Sequence, residues 1–374
     1  MNANGKRSTI KAGETGPEER HALIVGITGI QGHTLASRLA SNGWTVSGLA
    51  RRPKIDLPNA TPIAADLTDA AAVRRALKDV HPTHVFFTSW SRQATESENC
   101  LVNGAMLENL LHALDQSPQL QHVSLVTGLK HYLGPFEAYA LTKPDTPFRE
   151  DQARVPYENF YYTQEDILFT EAERLGFTWN VHRPHTVIGW AIGNAMNMGL
   201  TLAVYAAICR ETGRPFVFPG SVEQYNAATD VTDSRILAHQ LEWAALTPAA
   251  ANQAFNVVNG DIFRWRRMWP IIAENLGLEP APYPGKPSPL VEQMKDAGPI
   301  WDRIVEKHGL QALPIERLAS WWHSDADLGR QIEAFTDVSK SRRLGFTAYQ
   351  ETRNSFRDLF DRLRKERIIP SNQS

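Results

Sequence analysis

A glycine-rich turn, Gly26-Ile27-Thr28-Gly29-Ile30-Gln31-Gly32, stands directly after the apolar run HALIVGI and directly before the helix-like stretch HTLASRLASNG. This strand–turn–helix placement constrains the chain more than any other feature. Gly26 and Gly29 allow a tight turn and let the backbone, with Thr28 and Ile30, come close to a pyrophosphate. Gly32 lets the helix pack against the strand, and the helix N-terminus faces the negative charge. The turn therefore predicts a dinucleotide-binding βαβ unit.

The pattern behind the turn agrees. Short apolar runs TVSGLA, THVFFTSW, HVSLVTG and FTWNVHRP alternate with helical stretches near 69–78, 101–115 and 161–175. Buried strands alternating with helices predict an α/β fold, a Rossmann-type doubly wound parallel sheet, with a smaller, mainly helical C-terminal substrate-binding region. The expected layout is a disordered tail over 1–20 and a nucleotide-binding domain over 21–190. Later strands near 215–220 and 253–258 should return to it. Residues 191–212 and 260–350 form the substrate region, and 351–374 a terminal helix and tail.

The end of the second strand bears on the cofactor. An NAD site places an acid there for the ribose 2′-hydroxyl, whereas this chain has Arg51-Arg52, suited to a 2′-phosphate. The expected cofactor is NADPH/NADP. Asp66 and Leu67 after the third strand, and Thr88, Ser89 and Trp90 after the fourth, lie where ligands sit in such sheets. Thr127 and Gly128 hold the same position after the fifth.

Composition excludes other classes. A net charge of −2 gives no electrostatic case for nucleic acid or an anionic membrane. Residues 1–20 lack the apolar segment of a secretory signal, and the apolar stretch Met198–Cys209 is too short to span a bilayer. A cytoplasmic protein is expected. Cys100 and Cys209 form neither a disulfide framework nor a metal motif. His131, His182 and His185 lack ligand spacing with a carboxylate, so no metal is expected.

Reductases of this fold use a tyrosine to stabilise a developing oxyanion and a lysine to support it, normally four residues apart on one helix. One YxxxK match exists, Tyr139 to Lys143. Pro144 pushes Lys143 out of helical geometry, however, and the match lies too far before the sixth strand for one helix to bridge. The run Phe160-Tyr161-Tyr162 heads a helix of suitable length. The position four residues after Tyr161 is Glu165, so the cation must come from elsewhere, and Lys130 follows the fifth strand at its carboxyl end. Tyr161 or Tyr162 with Lys130 is the candidate pair, against the alternative of two packing aromatics and a surface lysine.

Residues 127–137 (TGLKHYLGPFE), 159–166 (NFYYTQED) and 181–184 (VHRP) with Ile188-Gly189 resemble the progesterone 5β-reductase/iridoid synthase-like family. That family is an atypical branch of the extended short-chain dehydrogenases. The likeness runs from about residue 21 to about 350. It implies that Lys130 and Tyr161 are catalytic and that the reaction is NADPH-dependent reduction of a carbon–carbon double bond conjugated to a carbonyl. Phe136 and Phe346 match apolar pocket positions. The run from His185 to Asn197 departs from the Gly/Phe/Ser-rich stretch of plant members, which leaves open which small-molecule enone is the substrate. A homodimer also stays open. The competing readings are a carbonyl reductase, a sugar-nucleotide epimerase or dehydratase, and a non-catalytic sensor of the NADPH/NADP ratio. Five tryptophans, Trp265, Trp269, Trp301, Trp321 and Trp322, are either pocket walls or core.

Overall fold

The computed structural model describes residues 20–372 except 55, 56, 58, 136, 137, 139–143, 194 and 195. The tail expected over 1–20, the Tyr139–Lys143 match and Phe136 therefore lie wholly or almost wholly outside the described residues.

The chain begins with β1 (His21–Val25), α1 (Ile30–Ser41), β2 (Thr45–Ala50), β3 (Ala60–Ala64), α2 (Ala70–Leu77) and β4 (His84–Phe87). It continues through α3 (Glu96–Ala113), β5 (His122–Val126), α4 (Lys130–Leu133), α5 (Phe160–Leu175) and β6 (Thr178–Pro184). Then come β7 (Val187–Ile188), α6 (Met198–Thr212), α7 (Val222–Asn226), β8 (Thr232–Asp233), α8 (Ser234–Leu246) and β9 (Gln253–Val257). The last helices are α9 (Trp265–Asn275), α10 (Leu290–Gln293), α11 (Ala297–His308), α12 (Trp321–Leu328), α13 (Ser339–Arg343) and α14 (Thr352–Lys365).

Seven strands form one parallel sheet in the order β3-β2-β1-β4-β5-β6-β9. The order reverses between β1 and β4, and the crevice at the carboxyl ends of those strands is where open α/β sheets bind ligands. Every residue of β4 and β5 is buried, as strands covered on both faces must be. On one face, Leu107 and Leu110 of α3 and Leu168 of α5 pack with Val73 of α2. On the other, Leu35 and Leu39 of α1 meet Leu237 and Leu241 of α8.

The C-terminal region has its own core around α6, whose residues from Met198 to Cys209 are all buried. One sequence expectation needs correcting here. The run 215–220 does not return to the sheet. Phe216 makes an isolated bridge with Pro280 and stacks on Trp269, because this run is drawn into the aromatic core of the C-terminal region. Phe356 and Phe360 of α14, with Ile368 and Ile369 after it, belong to that same core. Among the described residues no helix is long and apolar enough to cross a membrane.

Candidate active site

The glycine turn is built as the sequence requires. Gly26 has φ +86°, a left-handed conformation that favours glycine. A Cβ on Gly32 would sit 2.3 Å from the Gly26 carbonyl oxygen, so the turn closes only if residue 32 has no side chain. From the turn a cleft runs along the carboxyl edge of β2 and β3, lined by Gly26, Thr28, Arg51, Arg52, Asp66 and Leu67, with Ser89 and Trp90 at its side. The backbone N–H and hydroxyl of Thr68 both donate to Asp66 Oδ1 (3.0 and 2.8 Å), which holds that carboxyl below its usual range. The residues present thus fit a dinucleotide: a side-chain-free turn at a helix N-terminus and a pair of exposed guanidinium groups at the second strand end.

Trp90 also borders a second cavity, which continues from Gly29 and Ile30 past Thr88, Thr127 and Gly128 to Lys130 and Tyr161. Asn159, Glu96 and Phe160 hold these last two residues in place. Asn159, the N-cap of α5, accepts from the Tyr161 backbone N–H (3.1 Å) and donates to the Lys130 carbonyl (2.6 Å), tying α4 to the head of α5. Glu96, at the start of α3, accepts from Lys130 Nζ (3.1 Å) through one oxygen and from the Phe160 backbone N–H (3.0 Å) through the other. Lys130 Nζ also lies 4.9 Å from the centre of the Phe160 ring, which stacks on Trp90 at 5.6 Å. The Tyr161 hydroxyl is packed close to the backbone, since a Cβ added to Gly128 would lie 3.2 Å from it.

The two adjacent tyrosines part company here. Tyr161 faces the cavity with Lys130. Tyr162 is buried on the other side of the helix, where its hydroxyl donates to the His131 carbonyl (2.5 Å) and accepts from the Val155 N–H (3.0 Å). Glu165, in the usual lysine position, is engaged by Arg183 (3.3 Å), Arg154 (3.0 Å) and His131 (3.4 Å). Burial alone would raise its carboxyl, but the hydrogen bond with His131 and the charge of Arg183 hold it below the usual range.

Phe346 is not brought to this cavity. It is buried against Trp243 and His239 of α8, because α13 delivers it to the face of the sheet remote from α5. None of the five C-terminal tryptophans lines this cavity either. Trp265, Trp269 and Trp301 are fully buried in the C-terminal core, Trp321 packs against it, and Trp322 is exposed beneath Arg92. The cavity's far wall consists instead of His185, Thr186 and Met196 with His323, Asp327 and Arg330, which sequence reasoning did not select. One signal was present: His323 and Asp327 are four apart and so share a face of α12, with Arg330 two residues past its end.

Residues 65–370 match the family described as the PRISE-like Rossmann-fold domain. The chain belongs to this family. It is similar to the (S)-8-oxocitronellyl enol synthase of Nepeta racemosa, 42% identical over 366 residues that span 94% of each chain. It is likewise similar to the 3-oxo-Delta(4,5)-steroid 5-beta-reductase of Arabidopsis thaliana, 41% identical over 365 residues and again 94% of each. Among solved structures, the UDP-glucose 4-epimerase of Thermus thermophilus in complex with NAD superimposes with a TM-score of 0.64 at 17% identity. That match covers 92% of this chain and 99% of the other. At that identity the likeness extends to the fold alone.

Proposed function

We propose that this PRISE-like chain is an NADPH-dependent oxidoreductase that reduces the carbon–carbon double bond of α,β-unsaturated carbonyl compounds. The observation that carries the reading is the convergence of Tyr161 and Lys130 on the cavity that opens from the glycine turn, while Glu165 is committed elsewhere. The named relatives, an enol synthase and a steroid 5-beta-reductase, support the same reading.

NADPH, when bound, supplies the hydride for the β-carbon. The chain's own residues handle the charge that results. Reduction at the β-carbon moves an electron pair onto the carbonyl oxygen, giving an enolate. The Tyr161 hydroxyl donates a hydrogen bond to that oxygen, and the Lys130 ammonium stabilises the negative charge through space. Glu96 and Asn159 hold the two groups before the reaction begins, so no reorganisation is needed as charge develops. Protonation of the α-carbon by water completes the reaction. Arg51 and Arg52 favour NADPH over NADH through the 2′-phosphate.

The test is NADPH consumption, followed at the nicotinamide band, with enones such as 2-cyclohexen-1-one and progesterone. A saturated ketone should be the product. Tyr161→Phe should lower kcat about 100- to 1,000-fold, the range for losing one oxyanion donor, while Tyr162→Phe retains turnover. The reading fails if the carbonyl is reduced instead, or if Tyr161→Phe turns over like the parent protein.

A further inference from the structure

The far wall of the cavity carries a charged cluster that the reduction itself does not use. His185, at the end of β6, points Nδ1 at Asp230 Oδ1 (2.6 Å) and Nε2 at Arg330 Nη1 (2.5 Å). A guanidinium can only donate, so His185 Nε2 accepts and its proton sits on Nδ1 against Asp230. Arg330 also pairs with Asp327, whose second oxygen accepts from Thr186 Oγ1 (2.8 Å). Asp230 is closed off by the Thr336 N–H (2.7 Å). Arg330, Asp327 and His185 are each less than a tenth exposed, yet all three line the cavity that holds Tyr161 and Lys130. His323 lines it too, and its Nδ1 is buried with no hydrogen-bond partner among the described residues.

Such a wall is ill suited to an apolar occupant. Hydrocarbon against a guanidinium, a carboxylate and an imidazole offers none of the hydrogen bonds these groups can still make. It is equally ill suited to a carboxylate, which would face Asp327. It presents donor and acceptor side by side: Arg330 gives hydrogen bonds, Asp327 takes them, and neutral His323 has one group of each kind. A hydroxyl, which both donates and accepts and carries no charge, complements that pairing.

We propose that the Arg330–Asp327–His323 wall is a recognition site for a hydroxyl group carried by the substrate away from its reacting carbonyl. The preferred substrates are then hydroxylated enones rather than wholly apolar ones. This inference rests on the enone-reductase reading for the identity of the substrate's reacting end, but its test does not depend on turnover.

Three enones of one skeleton serve as probes: 4-ethyl-, 4-hydroxymethyl- and 4-carboxy-2-cyclohexen-1-one, the first two nearly equal in size. Their dissociation constants are measured by calorimetry on the protein saturated with NADP⁺, where no reduction occurs. The hydroxymethyl compound should bind at least ~10-fold tighter than the ethyl compound, as expected when a built hydrogen-bonding site is left unpaired by the analogue. That ratio should fall towards one in Asp327→Asn and in His323→Phe, either of which suffices if the other fails to fold. Equal binding of the ethyl and hydroxymethyl compounds by the parent protein overturns the proposal. So does tighter binding of the carboxy compound, or a ratio unchanged in the variants. Turnover of the same three compounds with NADPH reports separately on the reductase reading, since binding preference without reduction leaves the hydroxyl site standing and removes only the chemistry.

Discussion

Three histidines sit inside the parallel sheet, and the structure predicts that they make the protein acid-labile. His84, His122 and His182 lie on β4, β5 and β6 and are each at most 5% exposed. Their contacts are neutral ones, such as Gln240 for His182 (3.0 Å) and Thr178 for His122 (2.8 Å). Burial lowers the His84 and His182 pKa values to about 4 and that of His122 to about 3, against 6.5 when unfolded. Because the folded values are depressed, the unfolded chain takes up protons first as pH falls from 6.5. Stability is therefore complete above pH 6.5 and is lost towards pH 4. At pH 5 each histidine removes about 2 kcal/mol. The three together remove about 6 kcal/mol, which is a large part of a typical domain's stability. Urea unfolding at pH 7 and pH 5 measures the difference. His122→Gln, which cannot titrate, should shrink that pH-dependent difference by about 2 kcal/mol, whatever it does to stability at pH 7. If the variant's difference equals that of the parent protein, the reasoning is wrong.

Three further outcomes are expected. Arg51→Ala should weaken NADPH binding about 10- to 100-fold with little effect on NADH, the range for one charge-assisted hydrogen bond, as read by calorimetry with both cofactors. Gly32→Ala should abolish binding of either cofactor, since its Cβ would meet the Gly26 carbonyl at 2.3 Å; a variant that binds NADPH normally would contradict the packing of the turn. Glu96→Gln removes the carboxylate that holds both Lys130 and the head of α5. It should lower kcat by about 10-fold or more through misplacement of the pair, while the affinity for NADPH is retained.

Local chemistry explains which parts of this architecture were readable in advance. The turn at 26–32 was legible because a strand, a turn and a helix follow one another within a dozen residues, and each carries its own signal. The strands β4 and β5 were legible because burial on both faces leaves an unbroken apolar run. The run 215–220 misled for the same reason, as a short apolar segment reads alike whether it pairs in a sheet or stacks on Trp269. Phe346 was assigned to the cavity by likeness, but its position depends on where α13 leaves the chain, which no local pattern states. The far wall was hidden because its members come from the end of β6, the loop before α6 and the end of α12. Only the fold makes neighbours of residues 185 and 330.

The displaced cation shows how a site can be rebuilt without changing its frame. With Glu165 in the helix position, the first turns of α5 carry a carboxylate where a lysine would otherwise face the cofactor. That carboxylate is neutralised from behind by Arg183 on β6 and Arg154 in the preceding loop. A cation supplied from α4 must then be held against α5 by something other than helix geometry. Asn159 and Glu96 do this, each bonding once to Lys130 and once to a backbone N–H in the first turn of α5. Both are buried or nearly so, and each spends its hydrogen bonds on α4 and the head of α5 at once. The separation of Tyr161 from Lys130 therefore depends on two short polar bridges rather than on the pitch of one helix.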